Sequence, residues 1–210
     1  MNLKTSDPIY CTARSFYNNR LYYHNFHHVI DILDNAKKIL KQCDYKNITY
    51  DNKIIYHAIL FHDAGYDVDH SKNGFNNKEA YSAFLAETTL SDSGASEKHI
   101  EKVISAILCT HMDAVCYSNN EMVVRAADLL GLAAPFNVFK KKSIDLYKER
   151  ELLSGEKITW EQYKNEAFNI IQKFLKPRIK LDIELFSNDN YMFHTRAFHN
   201  LDRLMKSTID

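Results

Sequence analysis

Apolar residues recur three and four positions apart through most of this chain, and no other feature restricts its fold as strongly. That spacing places apolar side chains along one face of an α-helix. Five glycines and three prolines in 210 residues leave little material for the tight turns of an all-β fold. We therefore predict an all-α fold with helices at about 21–40, 52–64, 78–89, 97–111, 121–132, 136–153, 159–175 and 190–205.

Local signals set several boundaries of these predicted helices. Gly65 is a stop signal for the second helix, and residues 91–96 predict a loop. Thr159 and Gln162 have the spacing of a capping box, and Pro177 marks the end of the helix that they begin. A weak apolar alternation at 179–185 predicts a short extended segment.

The length of the chain suits one hydrophobic core. We predict a single domain over residues 1–210, in which helices at about 136–206 pack on a core of about 20–132. No stretch reaches the roughly 18 apolar residues of a membrane span, so no membrane partner is expected. The sequence does not indicate an oligomeric state.

Charge and cysteine usage narrow the classes of function. Lys and Arg total 27 and Asp and Glu total 27, so no net positive charge favours nucleic acid as a partner. The four cysteines, Cys11, Cys43, Cys109 and Cys116, contain no CxxC pair, and no apolar signal segment occupies the first seven residues. We predict free thiols and a cytoplasmic location.

Four polar clusters interrupt the apolar stripes of the predicted helices. An unpaired carboxylate or charged imidazole is costly to bury, so such groups are normally paired, neutralised or bound to metal. One shared divalent cation would account for all four clusters. They are Tyr23 to His28, His62-Asp63, Thr110-His111 and Ala127-Asp128.

The metal-binding residue types in these clusters are imidazoles and carboxylates. His24 and His28 stand four residues apart and would share a helix face, while His62 and Asp63 are adjacent and Asp128 is distant in sequence. This nitrogen and oxygen set suits Mg²⁺ or Mn²⁺, with Fe²⁺, Co²⁺ or Zn²⁺ as alternatives. A bound metal lowers the pKa of its water ligand toward neutrality and so supplies hydroxide as a nucleophile. The set therefore predicts a hydrolase.

The ordered clusters resemble those of the HD-domain metal-dependent phosphohydrolases, in the pattern H, then HD, then D. The closer similarity is to small HD phosphohydrolases with YHNxxH, FHDxxYD and DLxxLG segments. The last segment is contracted here to Asp128-Leu129-Leu130-Gly131, and 195–201 follows the family loosely. The first segment is also similar to that of cyclic-nucleotide phosphodiesterases. The matching segments of this chain are Tyr23 to His28 and Phe61 to Asp67.

The resemblance implies a helical bundle with the metal site between core helices, and a small phosphorylated substrate such as a nucleotide. It implies that His24 is the general acid and that His27 lies outside the metal site. It also gives Asp63 a role in catalysis, because Asp63 can bridge two metals in this fold; whether one or two bind is open. The implied metal ligands are His28, His62, Asp63 and Asp128.

Three further residues have open roles. His111 is either a second-metal ligand or phosphate-facing donor, or a core histidine bonded to a carbonyl. Asp67 and Glu79 either orient the attacking water or take its proton, or they lie in an exposed loop and on a helix surface.

Three alternatives to the phosphohydrolase hypothesis remain open. The same fold could hold two irons and act as an oxygenase, which iron content and O₂ consumption would reveal. It could also be a non-catalytic nucleotide-binding sensor, which would bind without turnover. In the third, every histidine and aspartate of the clusters is an ordinary core or surface group.

Overall fold

The structure, a computed structural model, describes residues 7–175 and 190–209, and every regular element in these two ranges is helical. The prediction of an all-α fold is confirmed. The helices are α1 (Pro8–Ser15), α2 (Phe26–Tyr45), α3 (Asn52–Phe61), α4 (Lys78–Asp92), α5 (Glu97–Leu108), α6 (Asn119–Leu129), α7 (Phe136–Ser154), α8 (Trp160–Leu175) and α9 (Asn190–Met205), with short 3₁₀ turns at Ser71–Asn73 and Leu130–Ala133.

The start of α2 differs from the prediction in a way that matters for the site. Asn25 has an extended backbone, and its side-chain oxygen accepts a hydrogen bond from the His27 backbone N–H at 2.9 Å. This is an N-cap, which ends the helix on its amino side. His24 therefore precedes α2 instead of sharing a helix face with His28, and the predicted start at residue 21 is wrong.

Two other helices end earlier than their apolar stripes predict. α3 ends at Phe61, so His62 is its C-cap and Asp63 lies beyond the helix. α5 ends at Leu108, three residues before His111. The polar clusters therefore lie at helix ends and in turns, where backbone groups outside the helical ladder hold side chains in position.

The C-terminal helices follow their predicted ranges closely. The predicted capping box is confirmed, because Thr159 Oγ1 accepts from Gln162 N at 3.2 Å and Gln162 Oε1 accepts from Thr159 N at 2.7 Å. Pro177 and the predicted extended segment at 179–185 lie outside the described residues.

The core lies where α2, α3, α5 and α6 pack together, and α4 closes it against α5. Burying apolar side chains such as these is the main favourable contribution to folding. The apolar residues at the centre have almost no exposed surface; they include Ile32, Leu33, Ile55, Ile59, Ile107 and Val124.

The described part of the chain contains no single helix with the length and apolar composition of a membrane span. Only α6 with its 3₁₀ turn, taken together with α7, has that length and composition, and the two are bent by 106° relative to each other.

A disulfide joins Cys109 and Cys116, so the prediction of free thiols is wrong for these two residues. The chain turns back after α5 and brings their Cα atoms to 5.7 Å, which is within the usual range for a disulfide. The guanidinium of Arg125, on α6, donates hydrogen bonds to the Cys109, Met112 and Ala114 carbonyls of the same loop. Cys11 and Cys43 are not in a disulfide.

A buried histidine on α3, in contact with a half-buried histidine on α5, predicts a pH dependence of stability. His57 Nδ1 lies 3.0 Å from His99 Nε2. Burial, helped by His99 and Lys53 and opposed by Asp7 and Asp51, lowers the pKa of His57 to about 4. The unfolded chain binds this proton near pH 6.5, so the folded state loses stability as the pH falls from there toward 4.

The loss expected from His57 alone is about 3 kcal/mol at pH 4. Urea unfolding of the wild type and of His57→Gln across pH 7 to 4 measures it, and the variant should show a flatter slope. The control His27→Gln changes an exposed histidine and should keep the wild-type slope. An unchanged slope in His57→Gln would exclude this origin.

Candidate metal centre

His28 enters the site from the first turn of α2. Its ring is buried, and its Nε2 atom lies 3.4 Å from Asp128 Oδ1 and 3.5 Å from Asp63 Oδ2. The Asn25 cap sets where α2 begins and so which face of the helix carries His28. One nitrogen from α2 thus meets a carboxylate from α6 and another from the turn after α3.

His62 faces the same two carboxylates from the end of α3. Its Nδ1 atom lies 2.8 Å from the Ile59 carbonyl oxygen, which can only accept, so Nδ1 carries the hydrogen. In the neutral ring Nε2 then has a lone pair, and it lies 3.0 Å from Asp63 Oδ2 and 3.9 Å from Asp128 Oδ1. Nε2 is buried and makes no hydrogen bond among the described residues.

This arrangement fits a cation, because two imidazole nitrogens and two carboxylates, all common metal ligands, converge on one point. His28, His62 and Asp128 each offer a ligand atom, and these atoms lie within 4.8 Å of one another. Asp63 lies beside this set, with Oδ2 in contact range of both imidazoles. A carbonyl that fixes the far nitrogen of His62 is the usual support for a metal-binding histidine.

Burial and the neighbouring charges raise the pKa of one histidine of the site and leave that of the other lowered. Burial lowers the pKa of His62, but Asp63 and Asp128 outweigh it and raise that pKa to about 9. At His28 burial wins, and its pKa falls below the ordinary histidine value. Burial would raise the pKa of Asp63, yet His62 and His24 hold it well below its usual range. Without a cation, a proton on His62 balances the carboxylates.

His24 lies on the chain segment that precedes α2, where a buried glutamate from α7 holds it. The backbone N–H groups of Tyr23 and His24 donate to Glu149 Oε2 at 2.7 and 2.9 Å, and His24 Nδ1 is hydrogen bonded to Glu149 Oε1. Burial would raise the pKa of Glu149, but the bonds from His24 and the two backbone groups lower it. This carboxylate therefore stays ionised beside His24.

Sequence reasoning missed Glu149. It lies 125 residues from His24, inside a helix, and no local motif distinguishes it from the other charged residues of α7. Its burial, with 2% of the side chain exposed, is a property of the folded chain alone.

A short turn after α3 places an aromatic ring on His24. The Tyr66 and His24 rings are stacked, with centroids 3.6 Å apart and planes 11° from parallel. Gly65 allows this turn: its φ is +70°, and a Cβ there would lie 2.6 Å from Tyr81 Cε1. On the other side of Tyr66, the Lys78 ammonium lies 3.5 Å from the ring centroid. Burial lowers the pKa of Lys78.

The three residues with open roles lie in different places. Asp67 is exposed and accepts a hydrogen bond from Asn18 Nδ2 at 2.7 Å. Glu79 and His111 are half-buried and line the same cavity as His24, Asp63 and Asp128. His111 Nδ1 accepts from the Asp113 backbone N–H at 3.2 Å, so the ring is oriented by the loop that the disulfide closes.

The cavity beside these residues has a volume of about 580 Å³, which is typical of a small-molecule site. It runs from the metal cluster toward α7 and α8, with Lys78, Lys142 and Arg150 among the residues that line it. The site therefore combines a cluster that could hold a cation, a histidine held by a carboxylate, and a cavity large enough for a small organic molecule.

Comparisons with known proteins bear on the fold. No family model and no curated protein matches this sequence. Among solved structures, the chain is similar to the phosphodiesterase domain of the rhodopsin phosphodiesterase of Salpingoeca rosetta, with a TM-score of 0.69 and 16% sequence identity. The match covers 94% of this chain and 78% of that chain. The protein thus has the helical fold of a phosphodiesterase domain.

Proposed function

We propose that this protein is a metal-dependent phosphohydrolase that cleaves a phosphate ester of a small molecule. The observation that carries the proposal is the convergence of His28, His62 and Asp128, whose ligand atoms lie within 4.8 Å of one another, beside a cavity that Asp128 and His24 line. The fold shared with a phosphodiesterase domain supports the same chemistry. We place the metal on these three ligands, with Asp63 beside them.

A divalent cation bound there would supply Lewis acidity toward a phosphoryl oxygen and a water nucleophile at neutral pH. The chain itself supplies the groups around it. Lys78 places a positive charge in the cavity, where it can bind a phosphate oxygen. His24 donates a proton to the oxygen of the departing alcohol as the bond between phosphorus and that oxygen breaks. Glu149 and Tyr66 fix the ring of His24 in position.

The experiment that tests the proposal is a metal-dependent hydrolysis screen. The protein is stripped with a chelator and assayed with Mg²⁺, Mn²⁺, Co²⁺, Fe²⁺ and Zn²⁺ against nucleotides, cyclic nucleotides, sugar phosphates, alkyl phosphates and p-nitrophenyl esters. We expect turnover that disappears with chelation and returns with at least one metal. The absence of hydrolysis of any ester under every metal would contradict the proposal.

Glu149→Gln is expected to lower kcat about 10- to 100-fold for esters with poor leaving groups. The amide keeps the size of the side chain but lacks the negative charge that binds the Tyr23 and His24 backbone N–H groups and the His24 ring. With p-nitrophenyl esters the loss should be small, because nitrophenolate leaves without a proton. Steady-state kinetics on both kinds of ester measure the difference.

The metal content and KM of Glu149→Gln should stay close to wild type if Glu149 acts through His24. As a matched control, Glu161→Gln changes an exposed glutamate on α8 and should leave kcat unchanged. An equal loss of kcat with both leaving groups would mean that Glu149 only stabilises the fold.

A further inference from the structure

The lining of the cavity changes character from one side to the other. The segment before α2 and the turn after α3 contribute polar groups, including His24 and Asp63. The side formed by α7, α8 and the 3₁₀ turn after α6 is mainly apolar. The apolar side chains that line it include Leu132, Leu146, Ile170, Ile171 and Phe174.

Of the polar side chains on this second side, Ser143, Lys142, Arg150 and Glu166 have partners within the protein, and Tyr163 adds an aromatic ring. Ser143 Oγ donates to the Phe139 carbonyl at 3.0 Å. The Arg150 guanidinium lies 3.4 Å from Glu166, and the Lys142 ammonium lies 2.7 Å from Asp31. A nucleobase or sugar bound here would lose its hydrogen bonds to water and would not replace them with hydrogen bonds to these side chains. Such an exchange is unfavourable for polar groups and favourable for apolar ones.

We infer that the alcohol part of the substrate is apolar. The protein then cleaves phosphate esters of aliphatic or simple aryl alcohols in preference to esters of nucleosides and sugars. This inference rests on the proposed function. In the reaction, water forms a bond to phosphorus, the bond from phosphorus to the alcohol oxygen breaks, and the proton from His24 goes to that oxygen. The attacking water releases one proton to solvent, and His24 takes up a proton again before the next turnover. The products are the phosphate and the apolar alcohol.

The substrate experiment compares ethyl, butyl and hexyl phosphates with AMP, cyclic AMP and glucose 6-phosphate on the metal-loaded protein. Phosphorus NMR follows monoesters and diesters alike. Because each buried methylene favours binding, kcat/KM should rise about three- to fourfold per methylene through the alkyl series. The hexyl ester should exceed every nucleotide. A flat alkyl series, or a nucleotide that exceeds the hexyl ester, would overturn the inference.

A binding experiment separates this inference from the proposed function. Ethyl and hexyl phosphonates cannot be hydrolysed, and calorimetry on the metal-loaded protein gives their affinities. If no ester is cleaved but the hexyl phosphonate binds more tightly by the same factor per methylene, the apolar site stands and the hydrolase proposal fails. If esters are cleaved while phosphonate affinity is independent of chain length, the apolar site fails.

Leu146→Asn tests the position of the apolar site. This residue lines the cavity from α7, whereas Leu152 on the same helix is 51% exposed and lies outside the cavity lining. Leu146→Asn should lower kcat/KM for hexyl phosphate about tenfold and leave ethyl phosphate nearly unchanged. Leu152→Asn should change neither. Ile171→Asn, on α8, gives the same test if Leu146→Asn does not fold, and equal losses for both esters would overturn the assignment.

Discussion

Asp128→Asn is expected to lower metal affinity by more than about 100-fold, because changes to groups behind a ligand already cost 10- to 100-fold. Asp128 Oδ1 faces both imidazoles, at 3.4 Å from His28 Nε2 and 3.9 Å from His62 Nε2. An amide keeps the shape of the side chain but removes its negative charge. At fixed metal concentration, turnover should fall on the order of a thousandfold.

Metal analysis after gel filtration and hydrolysis assays measure the two losses. The control Asp202→Asn changes an exposed aspartate on α9, which is paired with Lys206, and should keep both metal and turnover. Circular dichroism checks that Asp128→Asn stays helical. Full metal content together with full turnover in Asp128→Asn would show that the cation is held elsewhere.

Arg125→Met should lower the free energy of unfolding by about 3 kcal/mol or more. The Arg125 side chain is 2% exposed, and its guanidinium donates to three carbonyls of the loop between α5 and α6. Methionine can fill much of the same space, but it leaves those carbonyls without their donor. Urea unfolding at neutral pH measures the change.

Arg125→Met should also destabilise the loop between α5 and α6 locally. Amide hydrogen exchange in the loop at 109–116 should rise in Arg125→Met before exchange in α2 or α3 does. Arg20→Met is the matched control, because Arg20 is exposed, and its effect should stay within about 0.5 kcal/mol. A change of that small size in Arg125→Met would mean that water or other groups satisfy the three carbonyls.

The parts of the fold that sequence predicted well are those with local causes. Apolar spacing is a property of each helix alone, so the ranges of α7, α8 and α9 were accurate. The boundary error at α2 also has a local cause, because Asn25 competes for the backbone N–H of His27. An N-cap inside a polar cluster is easily taken for part of the helix that follows it.

The parts that sequence could not predict depend on distant partners. Glu149 reaches His24 only after α7 packs near the start of α2, and Arg125 reaches its carbonyls only after the loop closes. The spacing of Cys109 and Cys116 matches no common motif, and the disulfide follows from how the chain turns after α5. The grouping of His28, His62 and Asp128 was predicted through a resemblance, and its role in catalysis stays a prediction.

The tight turn at Gly65 limits where this protein can change. Asp63, beside the candidate metal ligands, and Tyr66, stacked on His24, are three residues apart, and Gly65 between them has no room for a larger side chain. Any substitution that widens the turn would displace Asp63 and the Tyr66 ring together. α8 approaches the cavity from another direction and carries none of those groups. Variation in substrate choice, natural or engineered, should therefore accumulate on α8 while residues 62–66 stay fixed.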